Sequence, residues 1–334
     1  MSGSYSLGID VGGTKTELVL LQRADDGALV VFSQEKERHA FREVARERIL
    51  TERVDGYDRV LRKISQFVKE FCKKNAVSEK SIHSVGIGLP GSIHPQTQKM
   101  ISGNTLILVD RNFAQDLQRE LGWSVPFFSE NDANCFALAE VLCGVGKVYE
   151  EKTGIPSHRT LGVGVILGTG CGGGIVFNGQ LINGRNGSGG EIGHMVFVED
   201  GPSCYCGRSG CPEQYLSGPG LEALFNSRKS VATQNISSAE EIFTQAAQGE
   251  PTAVAVVAQY RRLLARFLGG LNSVLNPDFF VLGGGVSKQL AIYQGLEAEA
   301  MKNSFIPSQP LSVFQSKLGD SSGVLGAALL PFLK

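Results

Sequence analysis

Two stretches of this chain share one pattern, and that echo constrains the fold more than any other feature. Residues 6–20, SLGIDVGGTKTELVL, read as strand, glycine turn, strand, with Leu7, Ile9 and Val11 alternating before the turn. Residues 161–177, LGVGVILGTGCGGGIVF, repeat it roughly 155 residues later. Internal similarity at domain length predicts two related α/β halves. The chain's 334 residues suffice for about two domains of ordinary size and for a large core.

Glycine is the compositional outlier, at 42 residues, 18 of them between positions 161 and 220. Such density implies tight turns and close backbone approach to a ligand. It has no three-residue period, which excludes collagen. The hydrophobic share of 42% and charged share of 19% exclude a disordered chain. With 32 basic and 33 acidic residues, a basic nucleic-acid groove spread over the whole protein is excluded too. No signal-peptide pattern opens the sequence and no apolar run approaches a membrane span, so a cytoplasmic location without a membrane partner is expected. Further strands are expected over 27–34, 84–90, 124–129 and 278–285. Helical spacing covers 60–71, 112–121, 133–142, 251–275 and 322–333.

The glycine turns are candidate phosphate loops. In the first, Gly12 and Gly13 free backbone N–H groups to face an anion, Thr14 and Thr16 add hydroxyls, and Lys15 adds charge. Asp10 suits a water-coated Mg²⁺, which takes few carboxylates. Gly168-Thr169-Gly170 offers a second anion loop, and Gly283-Gly284-Gly285 a close approach to a nucleoside. A single such hairpin is also a plain turn, but three of them after apolar strands point to a ligand. Neither GxxxxGK[ST] nor GxGxxG opening a helix is present, so a P-loop NTPase or a Rossmann dehydrogenase fits poorly.

Between an expected strand and helix stands Ser129-Glu-Asn-Asp-Ala-Asn134. Asp132 there suits a general base for a sugar hydroxyl, with Asn131 or Asn134 orienting it. Either Asp132 or Asn131 is equally suited to capping the helix.

His194 stands ten positions before Cys204, and Cys204-Tyr-Cys206 is followed, after four intervening residues, by Cys211. Three thiolates and an imidazole complete a tetrahedral set for Zn²⁺ with no open position, which marks a structural site. Free cysteines are the alternative. The same loop carries Glu191 and Glu213, which suit hydroxyl recognition or are surface charge. Cys72, Cys135, Cys143 and Cys171 read as small hydrophobes.

These residues carry a likeness. The opening GIDVGGTKTE, Pro90-Gly91, Glu130–Asn134, LGTGCGGG at 167–174, Gly190–His194, the cysteine motif through Glu213, Leu282–Gly285 and Ser322-Gly323 together resemble the ROK family of sugar kinases and regulators. The resemblance implies an actin-like ATPase fold (ribonuclease H-like) of duplicated α/β domains, with ATP in an interdomain cleft. The expected domains are 1–120 joined by the C-terminal helix 318–334, and 121–317 with the zinc loop.

The resemblance further implies Asp132 as catalytic base. It places the phosphate loops on Asp10 to Thr14 and Gly168 to Gly170. The sugar falls on Gly91, Asn104, Asn131, Asp132, Glu191, His194 and Glu213, and the zinc on His194, Cys204, Cys206 and Cys211. His194 would present its second ring nitrogen to the sugar. The family's regulators commonly begin with a DNA-binding helix-turn-helix, for which Gly8 leaves no room, so no nucleic-acid partner is expected.

The text GTGCGGGIVFNG and Pro202–Gly207 looks closest to bacterial fructokinases and mannokinases. The expectation is thus an ATP- and Mg²⁺-dependent, zinc-stabilised, homodimeric kinase acting on the 6-hydroxyl of fructose, mannose or glucose. An N-acetylhexosamine kinase, a non-catalytic sugar sensor and a structural dimer module are the alternatives. Residues 102–109, SGNTLILV, depart from relatives in a segment expected to face the sugar.

Overall fold

The computed structural model describes residues 4–32, 37–103, 105–228, 238–308 and 310–333. The chain forms two compact units: residues Met1–Thr160, Gly174–Gly189 and Leu318–Lys334 make unit 1, and Leu161–Gly173 with Gly190–Lys317 make unit 2. No helix among the described residues is long and apolar enough to cross a membrane.

Unit 1 opens with β1 (Tyr5–Val11), β2 (Lys15–Arg23), β3 (Leu29–Phe32) and β4 (Arg38–Leu50). Helix α1 (Tyr57–Lys74) precedes β5 (Ile82–Leu89), β6 (Gly91–Ile93) and β7 (Met100–Gly103). Then come α2 (Phe113–Leu121), β8 (Phe127–Asn131), α3 (Asp132–Leu142) and α4 (Val145–Thr153). Six strands form a mixed sheet in the order β3-β4-β2-β1-β5-β8. β1 is antiparallel to β2 and parallel to β5, and β5 is parallel to β8.

Strand periodicity sorts the faces of β1. Leu7 and Ile9 are fully buried in one core with Val60, Ile64 and Val68 of α1 and Leu117 of α2. Gly8, between them, is in register with Gly86 of β5 and meets the C-terminal helix instead. A Cβ on Gly8 would strike Val324 O, and one on Gly86 would strike Ala327 O. The missing side chains let that helix lie with its backbone directly on the sheet. These two glycines therefore serve packing rather than a ligand.

Unit 2 supplies β9 (Leu161–Leu167). β10 (Cys171–Phe177) begins in unit 2 and ends in unit 1, which also holds β11 (Gln180–Leu181). Unit 2 continues with α5 (Glu213–Leu216), α6 (Gly218–Asn226), α7 (Ala239–Ala247), α8 (Pro251–Leu275), β12 (Phe279–Gly283), α9 (Leu296–Lys302) and β13 (Val313–Gln315). β12 lies parallel between β9 and β13. Helix α8 spans the expected residues: Pro251 opens it, the Glu250 carboxylate accepts from Ala253 N, and Asn276 ends it in left-handed backbone. Its Val256, Tyr260, Leu264 and Leu268 are fully buried. The chain closes with α10 (Ser322–Leu329), back in unit 1. The expected helix 322–333 thus ends at Leu329 and passes into a short 3-10 turn, because Pro331 cannot donate to an α-helical bond.

Candidate active site

In unit 1 the candidate residues sit at the ends of adjacent parallel strands. β1 ends in Asp10-Val11, and the chain reverses through Gly12–Thr14 into β2, closed by Gly12 N donating to Lys15 O at 2.9 Å. Thr14 and Lys15 are exposed, whereas Thr16 is buried and bonded to Thr51 at 2.9 Å. Thr16 is therefore a structural residue rather than a donor on the loop surface. Gly91 opens β6 opposite Gly103, and a Cβ there would strike Ser102 O. Asn104 lies outside the described residues.

The junction of β8 and α3 separates two roles that the sequence left open. Asn131 is the cap: its Oδ1 accepts from Ala133 N at 2.9 Å and Asn134 N at 3.1 Å. Asp132 is the first helical residue, with Oδ1 accepting from Ala133 N at 2.8 Å. Asn134 is buried, and its amide donates to Glu130 Oε1 at 3.0 Å, so it is engaged away from any hydroxyl. Glu130 also accepts from Asn131 N at 2.8 Å and from the Asn183 amide at 2.5 Å. That carboxylate bracing the junction had no sequence signal beyond its place before Asn131.

The acids form an unbalanced cluster. Burial above all, then the neighbouring Asp132 and Glu17, push Asp10 up to about 8, with Arg48 opposing. Arg48 itself reaches Glu17 at 2.6 Å. A buried carboxylate whose proton affinity is raised by its acidic neighbours fits a divalent cation, which would relieve the repulsion.

In unit 2 the second turn is closed by Gly168 N donating to Gly170 O at 2.9 Å. Glu213 Oε2 accepts from Cys171 N at 3.0 Å, so this glutamate braces the turn. Gly284, at φ 82°, packs against Leu167 O, bringing the third glycine run beside the second. Gly168, Thr169 and Gly285 line a cavity of about 620 Å³ with Glu222, Lys288 and Gln289. Its size suits a nucleoside. Glu222 and Lys288 carried no motif and were missed in the sequence.

His194, Cys204, Cys206 and Cys211 do converge, with one candidate donor atom from each lying within 4.8 Å of the others. Cys204 Sγ is 3.6 Å from His194 Nδ1, and Cys206 Sγ is 3.6 Å from Cys211 Sγ. A tetrahedral zinc with ordinary bond lengths needs edges of about 3.7 Å, so the donor set fits that ion. Against a burial penalty that raises it, hydrogen bonds from Arg208 and the neighbouring thiols bring Cys206 down to about 6. The second nitrogen of His194 lies 3.0 Å from the Tyr205 hydroxyl, a partner the spacing argument did not anticipate. Glu191 precedes the short turn to His194 and is half-buried.

The ROK family model matches residues 6–332. Over 97% of its length the chain is 34% identical to 98% of an N-acetyl-D-glucosamine kinase of Mannheimia succiniciproducens. It is 34% identical over 98% of its length to 99% of another N-acetyl-D-glucosamine kinase, from Photobacterium profundum. A ROK family glucokinase from Streptomyces griseus, solved with glucose and AMPPNP, superposes with a TM-score of 0.76 at 24% identity over 98% of each chain. The fold is the expected actin-like ATPase α/β fold, and the family relationship makes the chain an ATP-dependent kinase. The chain belongs to the ROK family.

One expectation is overturned. The two relatives above, matched at near-full length, are N-acetyl-D-glucosamine kinases and not the fructokinases or mannokinases expected. The text that suggested the latter builds the 168–170 turn and the cysteine loop. Those residues close a glycine turn and gather metal-type donors, tasks that do not depend on which sugar is bound.

Proposed function

We propose that the chain transfers the γ-phosphoryl group of ATP to a hydroxyl, the 6-hydroxyl, of an N-acetylated hexosamine of the N-acetylglucosamine class. The observation that carries the amino-sugar reading is the 34% identity over nearly the whole chain to kinases of that sugar. In this reading Asp132 takes the hydroxyl proton as the sugar oxygen attacks phosphorus, supported by the cap's falling to Asn131. Gly12, Gly13, Thr14 and Lys15 hold phosphate oxygens, as do Gly168, Thr169 and Gly170, and the cavity beside Gly283–Gly285 takes the nucleoside. Gly91 and Asn131, at the strand ends beside Asp132 in unit 1, contact the sugar in this reading, whereas the second nitrogen of His194 has the Tyr205 hydroxyl as its partner.

Asp10 would hold a water-coated Mg²⁺, which when bound offsets charge on the phosphates. His194, Cys204, Cys206 and Cys211 would hold Zn²⁺, which fixes the loop carrying Glu213. Family resemblance supports a cytoplasmic homodimer without a nucleic-acid partner, which sedimentation and fractionation test.

The experiment is sugar-dependent ADP release with Mg-ATP across N-acetylglucosamine, N-acetylmannosamine, glucose, mannose and fructose. We expect kcat/KM for N-acetylglucosamine to exceed that for glucose by about tenfold or more. Higher kcat/KM for glucose, mannose or fructose, or no sugar-dependent release, overturns the reading.

A further inference from the structure

The segment leaving β4 is stapled to the first glycine turn. Thr51 N donates to Thr14 O at 2.8 Å, and the Thr51 hydroxyl donates to Gly12 O at 2.8 Å. The next residue, Glu52, adopts left-handed backbone at φ 56°, ψ 48°, which residues with a side chain rarely take. Lys63 holds its carboxylate at 2.5 Å. This turn delivers Arg53 across the glycine loop. Arg53 Nη1 lies 3.1 Å from where a Cβ on Gly13 would stand, and Thr105 Oγ1 lies 3.5 Å from the same point.

Arg53 is exposed, and among the described residues its guanidinium has neither an ion pair nor a hydrogen bond. The acids adjoining it in sequence have other partners: Glu52 has Lys63, and Asp55 has Arg59 at 3.2 Å. An arginine on open surface would be ordinary solvated charge. This one covers the bare face of a turn whose backbone groups suit an anion, at the end of a segment held there by two hydrogen bonds and a strained residue.

We propose that Arg53 is a catalytic residue of the phosphoryl transfer, contacting equatorial oxygens of the transferring group at the Gly12–Gly13 turn. The inference rests on the reading of that turn as a phosphate loop. In the step, a bond forms between the sugar oxygen and the γ-phosphorus, and the bond from that phosphorus to the β–γ bridging oxygen breaks. The hydroxyl proton passes to Asp132, ADP leaves with the bond's electron pair, and Arg53 keeps its proton throughout. A guanidinium suits the task because it is always charged and presents a rigid fork of donors to oxygens spread about phosphorus.

The test is steady-state kinetics of Arg53→Ala and Arg53→Lys with Mg-ATP and N-acetylglucosamine. Arg53→Ala should lower kcat by about 10²–10³-fold, with the sugar KM changed by less than about threefold. Arg53→Lys should recover only part, since lysine keeps the charge and loses the fork. Guanidinium chloride at non-denaturing concentration should raise the turnover of Arg53→Ala by about tenfold and leave wild type and Asp132→Asn unchanged. An Arg53→Ala enzyme with kcat within about threefold of wild type overturns this inference alone, as does a loss that guanidinium does not restore. A wild-type protein inactive on every sugar of the panel overturns the phosphotransfer reading, and this inference with it.

Discussion

Replacing Asp132 by asparagine separates catalysis from helix capping, because the structure gives those tasks to neighbouring residues. The cap of α3 belongs to Asn131, whose oxygen accepts from two backbone donors at 2.9 and 3.1 Å. Asp132 adds one bond, to Ala133 N at 2.8 Å, which an asparagine oxygen at the same place can still accept. Asp132→Asn should therefore change unfolding free energy by less than about 1 kcal/mol. Asn131→Ala, which strands Asn134 N while Ala133 N keeps the Asp132 carboxylate, should cost about 1 kcal/mol, within a range of about 0.5–2. Turnover should behave the other way. Loss of a general base costs about 10²–10⁴-fold, so Asp132→Asn should lower kcat by that amount. Urea unfolding of both variants and ADP release at saturating ATP and N-acetylglucosamine give the two readings. An Asp132→Asn enzyme that keeps more than about a tenth of wild-type turnover refutes the assignment of the base. One that unfolds as readily as Asn131→Ala refutes the division of labour.

Cys206→Ser should lower bound zinc from about one ion per chain to well below it, measured by atomic emission. A strong chelator should lower the melting temperature of wild type and leave that variant nearly unmoved. For Asp10, the folded-state value of about 8 lies above the ordinary 3.8, so the folded protein keeps a proton that the unfolded chain releases between those values. Stability of metal-free protein should then be greatest below the lower value and fall as pH rises toward 8, by up to about 1.4 kcal/mol per pH unit. Asp10→Asn should flatten that slope in urea titrations across the same range. Glu140 is fully buried and accepts from Leu318 N at 2.9 Å and the Ser322 hydroxyl at 2.8 Å. Glu140→Ala leaves those donors unsatisfied and should cost about 3–5 kcal/mol in denaturant unfolding.

What was legible in the sequence was what spacing alone specifies. The two strand–glycine–strand units, the α8 helix that Pro251 opens and Asn276-Pro277 follows, and the His-Cys-Cys-Cys set depend on residues close in the chain. Their chemistry follows from residue type, so the pattern suffices. The family was legible on the same basis, because its motifs are short and strung along nearly the whole chain.

Only the tertiary structure decided matters that depend on residues far apart. Residues 38–50, RHAFREVARERIL, carried no strand expectation, since arginine, glutamate and alanine favour helices. They form the long strand β4 because β2 offers an unpaired ladder beside them, and backbone pairing with that partner outweighs local preference. Gly8 and Gly86 look like any other glycines until α10, more than 230 residues downstream of either, lies against them. The choice between Asn131 and Asp132 as cap turned on backbone angles at the β8–α3 junction, with Glu130 and Asn183 bracing it from beneath. The sequence by itself thus determined the chemistry available to this protein, because that chemistry resides in residue types at short spacing. The fold decided which residue performs each part, because burial, charge neighbours and approach distance exist only once distant segments have met.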